Sequence, residues 1–148
     1  MAKNSDNGYL YNDNFINSRN HNMKTVLTFG TFDLAHPGHI AYLTEAKSYG
    51  DYLVTVIARD SNVSKSVLHS EEQRKQQIEK LNIADKVILG SKNNKMEVIH
   101  EYAPDIICLG YDQQADEEQL AKLTNAKIIR CKSFKPHVFK SKILKKNL

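Results

Sequence analysis

Cysteine is scarce in this chain: Cys108 and Cys131 are the only two among 148 residues. Neither stands in a CxxC or a Cys/His ligand pattern, so nothing points to a zinc site or a dithiol motif. Both fall in apolar stretches that read as strands, where a thiol behaves as a small core side chain; two reduced thiols are the expectation. Long apolar runs are missing as well. None approaches the roughly 18 to 20 residues that span a bilayer, and the first residues lack the apolar core of a secretory signal. A cytoplasmic protein with no membrane partner is expected. Concentrated positive charge is also lacking. The net charge is +4, yet the only dense cluster is late, at Lys140, Lys142, Lys145 and Lys146, and no basic stripe is interleaved with aromatics. That argues against nucleic acid as a partner and suits smaller anions.

What remains is the composition of an ordinary globular protein, 41% apolar and 26% charged, of a length that suits one domain. Residues 1–23 differ from the rest. Seven asparagines (Asn4, Asn7, Asn12, Asn14, Asn17, Asn20 and Asn22) crowd a stretch with no sustained period. Such a segment buries too little surface to offset its ordering entropy, and a flexible arm is expected there. The domain proper is expected over 24–148.

From Lys24 onward, strand-like and helix-like segments alternate. Continuous apolar runs at 25–29, 52–58, 86–89, 105–109 and 126–131 read as strands covered on both faces. Between them, Ile40, Leu43 and Ala46 recur at helical spacing before Gly50. Ser70 and Gln73 form a capping box ahead of Ile78 and Leu81, with Glu71 and Glu72 at the favourable end of the helix dipole. Met96, Ile99 and Tyr102 make a third stripe, ended by Pro104. Leu120 and Leu123 make a fourth, opened by Asp116. The alternation predicts a single α/β domain, a Rossmann-like, doubly wound, parallel five-stranded sheet. Ligands of such sheets bind beyond the carboxyl ends of the strands, where strand order reverses. The residues that follow each strand are therefore the ones to inspect.

After the first strand the chain reads GTFDLAHPGH over residues 30–39 and then enters a helix. Gly30 and Gly38 allow close backbone approach, and Pro37 suits a first helical turn. A helix start aims N–H groups and the positive end of its dipole at the strand termini, a ready site for phosphate. His36 and His39 can both face that anion. Two histidines and Asp33 without an HExxH helix are too few for zinc, so no protein metal site is expected.

This string resembles the signature of the HxGH nucleotidyltransferase superfamily, and within it the cytidylyltransferase-like group that begins with a GTFD turn. Further stretches narrow the likeness: Ala58-Arg59-Asp60 after the second strand, Gly90-Ser91 after the third, and Gly110-Tyr111-Asp112-Gln113 after the fourth. These are similar to archaeal-type FAD synthases, which are FMN adenylyltransferases. Glycerol-3-phosphate cytidylyltransferases share the first motif but usually carry a Gly-Asp-Asp type turn in the last place.

The resemblance implies transfer of a nucleotidyl group from a nucleoside triphosphate to a phosphate-bearing acceptor, with ATP and FMN ahead of CTP and glycerol 3-phosphate. It implies Mg²⁺ carried by the triphosphate and a homodimer. His36 and His39 match the family's two catalytic histidines, with Lys65 as a catalytic cation. Gly30, Thr31, Phe32, Asp33, Pro37, Gly38 and Asp112 match nucleotide contacts, and Phe134 and Ser141 fall where relatives place an aromatic and a hydroxyl. Lys65, Arg74 and Lys140 are the cations expected on phosphate or acceptor. The site is expected at the carboxyl ends of strands one, four and five. A nucleotide-binding module without turnover is the reading from another class, prompted by a short loop after Lys65 and a final turn in which only Ser141 keeps the hydroxyl pattern.

Overall fold

The computed structural model describes residues 23–34, 36–63, 67–94, 96–111, 113, 115 and 117–132. Lys65, Asp112, Asp116, Phe134, Lys140 and Ser141 lie outside the described residues, as does the asparagine-rich stretch up to Asn22.

Five parallel strands form one sheet: β1 (Thr25–Gly30), β2 (Tyr52–Ile57), β3 (Lys86–Leu89), β4 (Ile106–Leu109) and β5 (Lys127–Arg130). Their order across the sheet is β3-β2-β1-β4-β5. The chain winds outward from β1 to β3, then crosses back to β4 on the other side of β1. The switch point therefore lies between β1 and β4, where Val26, Leu27 and Thr28 pair with Ile106, Ile107 and Cys108.

Among the described residues four helices fill the crossovers: α1 (Pro37–Ser48), α2 (Glu71–Leu81), α3 (Met96–Tyr102) and α4 (Glu117–Leu123). A short 3₁₀ turn at Asp60–Asn62 follows β2. Successive strand residues point to opposite faces, so β1 feeds two cores at once. Val26 joins Leu43 and Ala46 of α1 and Ile78 of α2 on one face. Leu27 joins Val98, Ile99 and Tyr102 of α3 on the other, with Leu120 of α4 at its edge. This two-sided burial explains why the strands read as unbroken apolar runs rather than as alternating ones.

Local signals set the helix starts. Ser70 Oγ accepts from the Gln73 N–H at 3.2 Å, and Gln73 Oε1 accepts from the Ser70 N–H at 2.9 Å, the reciprocal capping box read from the sequence. Helix α2 then ends at Asn82, whose left-handed φ of 59° closes its last turn. Ile40, counted into the helical stripe of α1, is 41% exposed, whereas Leu43 and Ala46 are fully buried; the stripe begins one turn later than its spacing implied.

The two cysteines depart from expectation. Cys108 and Cys131 are joined in a disulfide, with Cα atoms 6.4 Å apart. Strand order explains the pairing: β4 and β5 are neighbours, and the Cys131 N–H donates to the Leu109 carbonyl at 2.7 Å. Periodicity shows that each residue is buried but not which strands are adjacent. Among the described residues no helix is long and apolar enough to cross a membrane.

Candidate active site

The carboxyl end of β1 runs into the glycine turn, and α1 begins seven residues beyond Gly30. A Cβ on Gly30 would meet the Phe32 ring at 2.5 Å, so the turn closes this tightly only with glycine there. Phe32 adopts φ 53°, a left-handed conformation rarely held by an aromatic residue. Its ring is 4% exposed and packs edge-on against His39, centroids 5.2 Å apart, and stacks on Tyr42.

His36 occupies the N-cap position of α1, and Pro37 its first turn. The imidazole Nδ1 of His36 accepts a hydrogen bond from the Gly38 N–H at 3.0 Å, which puts the neutral ring's proton on Nε2. The backbone N–H groups of His39 and Ile40 both donate to the His36 carbonyl, at 2.9 and 3.1 Å. Proline has no N–H to offer. The bare amide ends expected at this helix start are therefore already engaged, and one reason is His36 itself. Through this cap the Gly38 N–H polarises the His36 ring, which is 9% exposed.

His39 lies one turn further in, its ring stacked on His36 with centroids 3.8 Å apart. Burial first, and the neighbouring His36 second, lower its pKa to about 3, against a smaller upward pull from Asp33 and the Leu34 carbonyl. Burial lowers that of His36 as well. Both rings are neutral donors at pH 7, not imidazolium ions. His39 Nδ1 is buried with no hydrogen-bond partner among the described residues.

The side chains of two residues of the GTFD turn, both expected at the nucleotide, are turned into the fold. Phe32 is a core residue. Asp33 is 3% exposed, and its carboxylate accepts from the N–H groups of Leu68 and His69 at 2.9 to 3.0 Å. Arg74, expected on a phosphate, is 0% exposed, and each of its three nitrogens already donates within the protein. The Arg74 guanidinium is thus engaged within the fold and does not line the cleft. Thr31 and Gly30, by contrast, line a cleft.

That cleft, about 390 Å³, opens at the carboxyl ends of β1, β2 and β3 beside the glycine turn. Its floor includes Phe29, Val56 and Val98, and its rim Asn62, Ser91 and Lys92. The site is expected at strands one, four and five, whereas this cleft lies on the β2–β3 side of β1, with Gln113 its one lining residue from beyond β4. On the β4 side, a network that the sequence did not reveal fixes the turn after β4. Gln113 Nε2 donates to the Phe29 carbonyl at 3.2 Å, and its Oε1 accepts from Gly110 N–H at 3.0 Å. Arg130 Nη1 donates to the carbonyls of Gly110 and Gln113, both at 2.7 Å. Tyr42 OH donates to the Cys108 carbonyl at 2.7 Å, and burial raises its pKa above the usual phenol range. The sequence cue to Gln113 is its place in the Gly110-Tyr111-Asp112-Gln113 turn, which does not tell its partners; nothing marks Tyr42 or Arg130. Among the described residues no group of three or more His, Cys, Asp or Glu could hold a metal ion.

The cytidylyltransferase-like family model matches residues 27–146, all of this sheet and its helices but the first two residues of β1. The chain belongs to that family. This cytidylyltransferase-like protein is 48% identical over 106 residues to the FAD synthase of Methanosarcina barkeri, a match covering 68% of the chain and 76% of the relative. With the FAD synthase of Picrophilus torridus it shares 32% identity over 131 residues, 83% of the chain and 94% of the relative. Among solved structures, the lipopolysaccharide core biosynthesis protein of Thermoplasma volcanium superposes with a TM-score of 0.72 at 42% identity, covering 76% of this chain and 98% of that one. Pantoate-beta-alanine ligase of Francisella tularensis, at 17% identity and a TM-score of 0.59 over 89% of this chain and 68% of that one, shares the fold.

Proposed function

We propose that this protein transfers the adenylyl group of ATP to the phosphate of FMN, forming FAD and releasing pyrophosphate. The observation that carries the reading is the stacked pair of neutral imidazoles at the N-terminus of α1, at the sheet's switch point. A phosphate oxygen of FMN attacks the α-phosphorus, and the bond to the departing pyrophosphate breaks in line. The acceptor is already an anion, so no base need remove a proton. The work left to the protein is alignment and the stabilisation of charge developing on the phosphoryl oxygens. His36 Nε2–H, polarised through its cap, and the His39 ring behind it are the donors for that charge. His36, His39, Gly30, Thr31, Pro37 and Gly38 form the triphosphate end of the site in this reading, with Lys65, Asp112, Phe134, Lys140 and Ser141 completing it from segments beyond the described residues. In this reading Mg²⁺ comes bound to the triphosphate, where it neutralises charge.

The relatives named FAD synthase support a flavin acceptor. Pyrophosphate release, measured with ATP or CTP against FMN or glycerol 3-phosphate in the presence of Mg²⁺, tests the reading. Release with ATP and FMN, with FAD recovered by chromatography, is expected. Product from CTP alone would overturn the flavin assignment. Nucleotide binding with no pyrophosphate from any pair would instead indicate a module without turnover.

A further inference from the structure

A guanidinium removed from water is costly unless its donors are fully met. Arg74, on α2, is 0% exposed, so its partners justify its presence. They come from three separate segments. Nη1 donates to the Thr31 carbonyl at 2.8 Å, in the glycine turn. Nε donates to the His69 carbonyl at 3.1 Å, just ahead of α2. Nη2 donates to Asp60 Oδ1 at 2.6 Å, in the 3₁₀ turn after β2, and that bond holds the Asp60 carboxyl below the usual carboxylate range. Asp33 fastens the same junction from the other side through the N–H groups of Leu68 and His69, and its own carbonyl lies 2.8 Å from His69 Nδ1.

Phe32 sits between the two fastenings. Its φ of 53° costs on the order of 1–3 kcal/mol for a non-glycine residue, and persists only where the surroundings over-determine it. Thr31 on one side is held by Arg74, and Asp33 on the other by Leu68 and His69. The ring thus fixed meets His39 edge-on, and His39 in turn carries His36 stacked upon it. A continuous line of contacts runs from the buried guanidinium to the two imidazoles.

We propose that Arg74 is a positioning residue: by holding the Thr31 carbonyl it keeps Phe32 in its left-handed conformation and so sets the His39 and His36 rings. It touches no substrate. Its kinetic consequence rests on the adenylyl-transfer reading; its structural consequence does not.

Arg74→Lys keeps the charge, but an ammonium cannot reach three acceptors spread around a planar fork. Imidazole resonances of wild type and R74K, compared by NMR, read the geometry directly. The His36 and His39 signals are expected to shift, while those of His100, exposed on α3, stay in place. In turnover with ATP and FMN, kcat is expected to fall about a hundredfold, the scale of a misalignment near 1 Å, with both KM values changed less than the kcat. Unmoved His36 and His39 signals would overturn the proposal. So would a raised KM with intact kcat, the mark of a direct phosphate contact. A wild type that forms no FAD would sink the activity reading alone, because the NMR comparison needs no turnover. Should R74K fail to fold, Asp60→Asn takes its place: Asp60 is half exposed, and the loss of one charged partner is expected to move the same two imidazoles to a smaller degree. Unchanged signals in D60N would then overturn the proposal.

Discussion

The ring of His36 lies over the ring of His39, with centroids 3.8 Å apart and planes inclined by 27°. Two unit charges at such a spacing repel by about 4 kcal/mol near a protein surface. Stacking this close is compatible with two neutral rings, and burial keeps them so. Each neutral ring still carries one N–H that can donate to a polyphosphate oxygen.

Those lowered pKa values couple acidity to stability. In the unfolded chain a histidine titrates near 6.5, and in the folded protein His39 titrates at about 3. Between these values the unfolded state binds the extra proton. The free energy of unfolding is therefore expected to be full above pH 6.5, to decline as pH drops below it, and to level off near pH 3. The slope for this one group cannot exceed about 1.4 kcal/mol per pH unit. Urea unfolding across pH 4 to 7 checks it, with His39→Asn as the comparison: the variant's curve should be flatter than the wild type's. Parallel curves would mean that the His39 ring is charged, or solvated, in the folded protein.

At the start of α2, Ser70→Ala removes the side chain that satisfies the Gln73 N–H. A loss of about 1 kcal/mol is expected, against only a few tenths for Ser70→Gly. The readout is a lower urea midpoint at unchanged slope. Equal stability of all three proteins would mean that the capping box contributes nothing.

The Cys108–Cys131 disulfide closes a loop of sequence separation 23. Reduction is expected to cost about 2–4 kcal/mol, visible as a lower melting temperature in a reductant, with the Cys108→Ala/Cys131→Ala double variant insensitive to it. A thiol-reactive dye that labels both cysteines of the folded, unreduced protein would contradict the pairing.

The sheet was legible because its strands are buried on both faces. Residues 86–89 form β3 with the bounds that their apolarity marks, and 105–109 overshoots β4 by one residue. The Ser70 cap was legible because capping is a local exchange between residues three apart. Strand adjacency is not local, which is why two cysteines that each read as core thiols turn out to be joined. The same limit applies to charge. Arg74 looks like any cation on a polar helix, and only the convergence of Thr31, Asp60 and His69 makes it a buried one. The GTFD turn shows the subtler case: its residues stand at the site, but Phe32 and Asp33 face inward to hold it, while the neighbouring Gly30 and Thr31 line the cleft. Gln113 stood in the Gly110-Tyr111-Asp112-Gln113 turn, but its role of fastening that turn to β1 was not legible, and Arg130 carried no pattern at all, since the carbonyls it binds are ones any sequence would supply.

The most direct measurement is pyrophosphate release from ATP and FMN by the double variant His36→Ala/His39→Ala, set beside wild type after circular dichroism has shown both folded. Losing one such aligned donor typically costs about 10²- to 10³-fold, so a residual rate well below one hundredth of wild type is expected. Product formed at the wild-type rate without either imidazole would contradict the role given to the glycine turn and its two histidines.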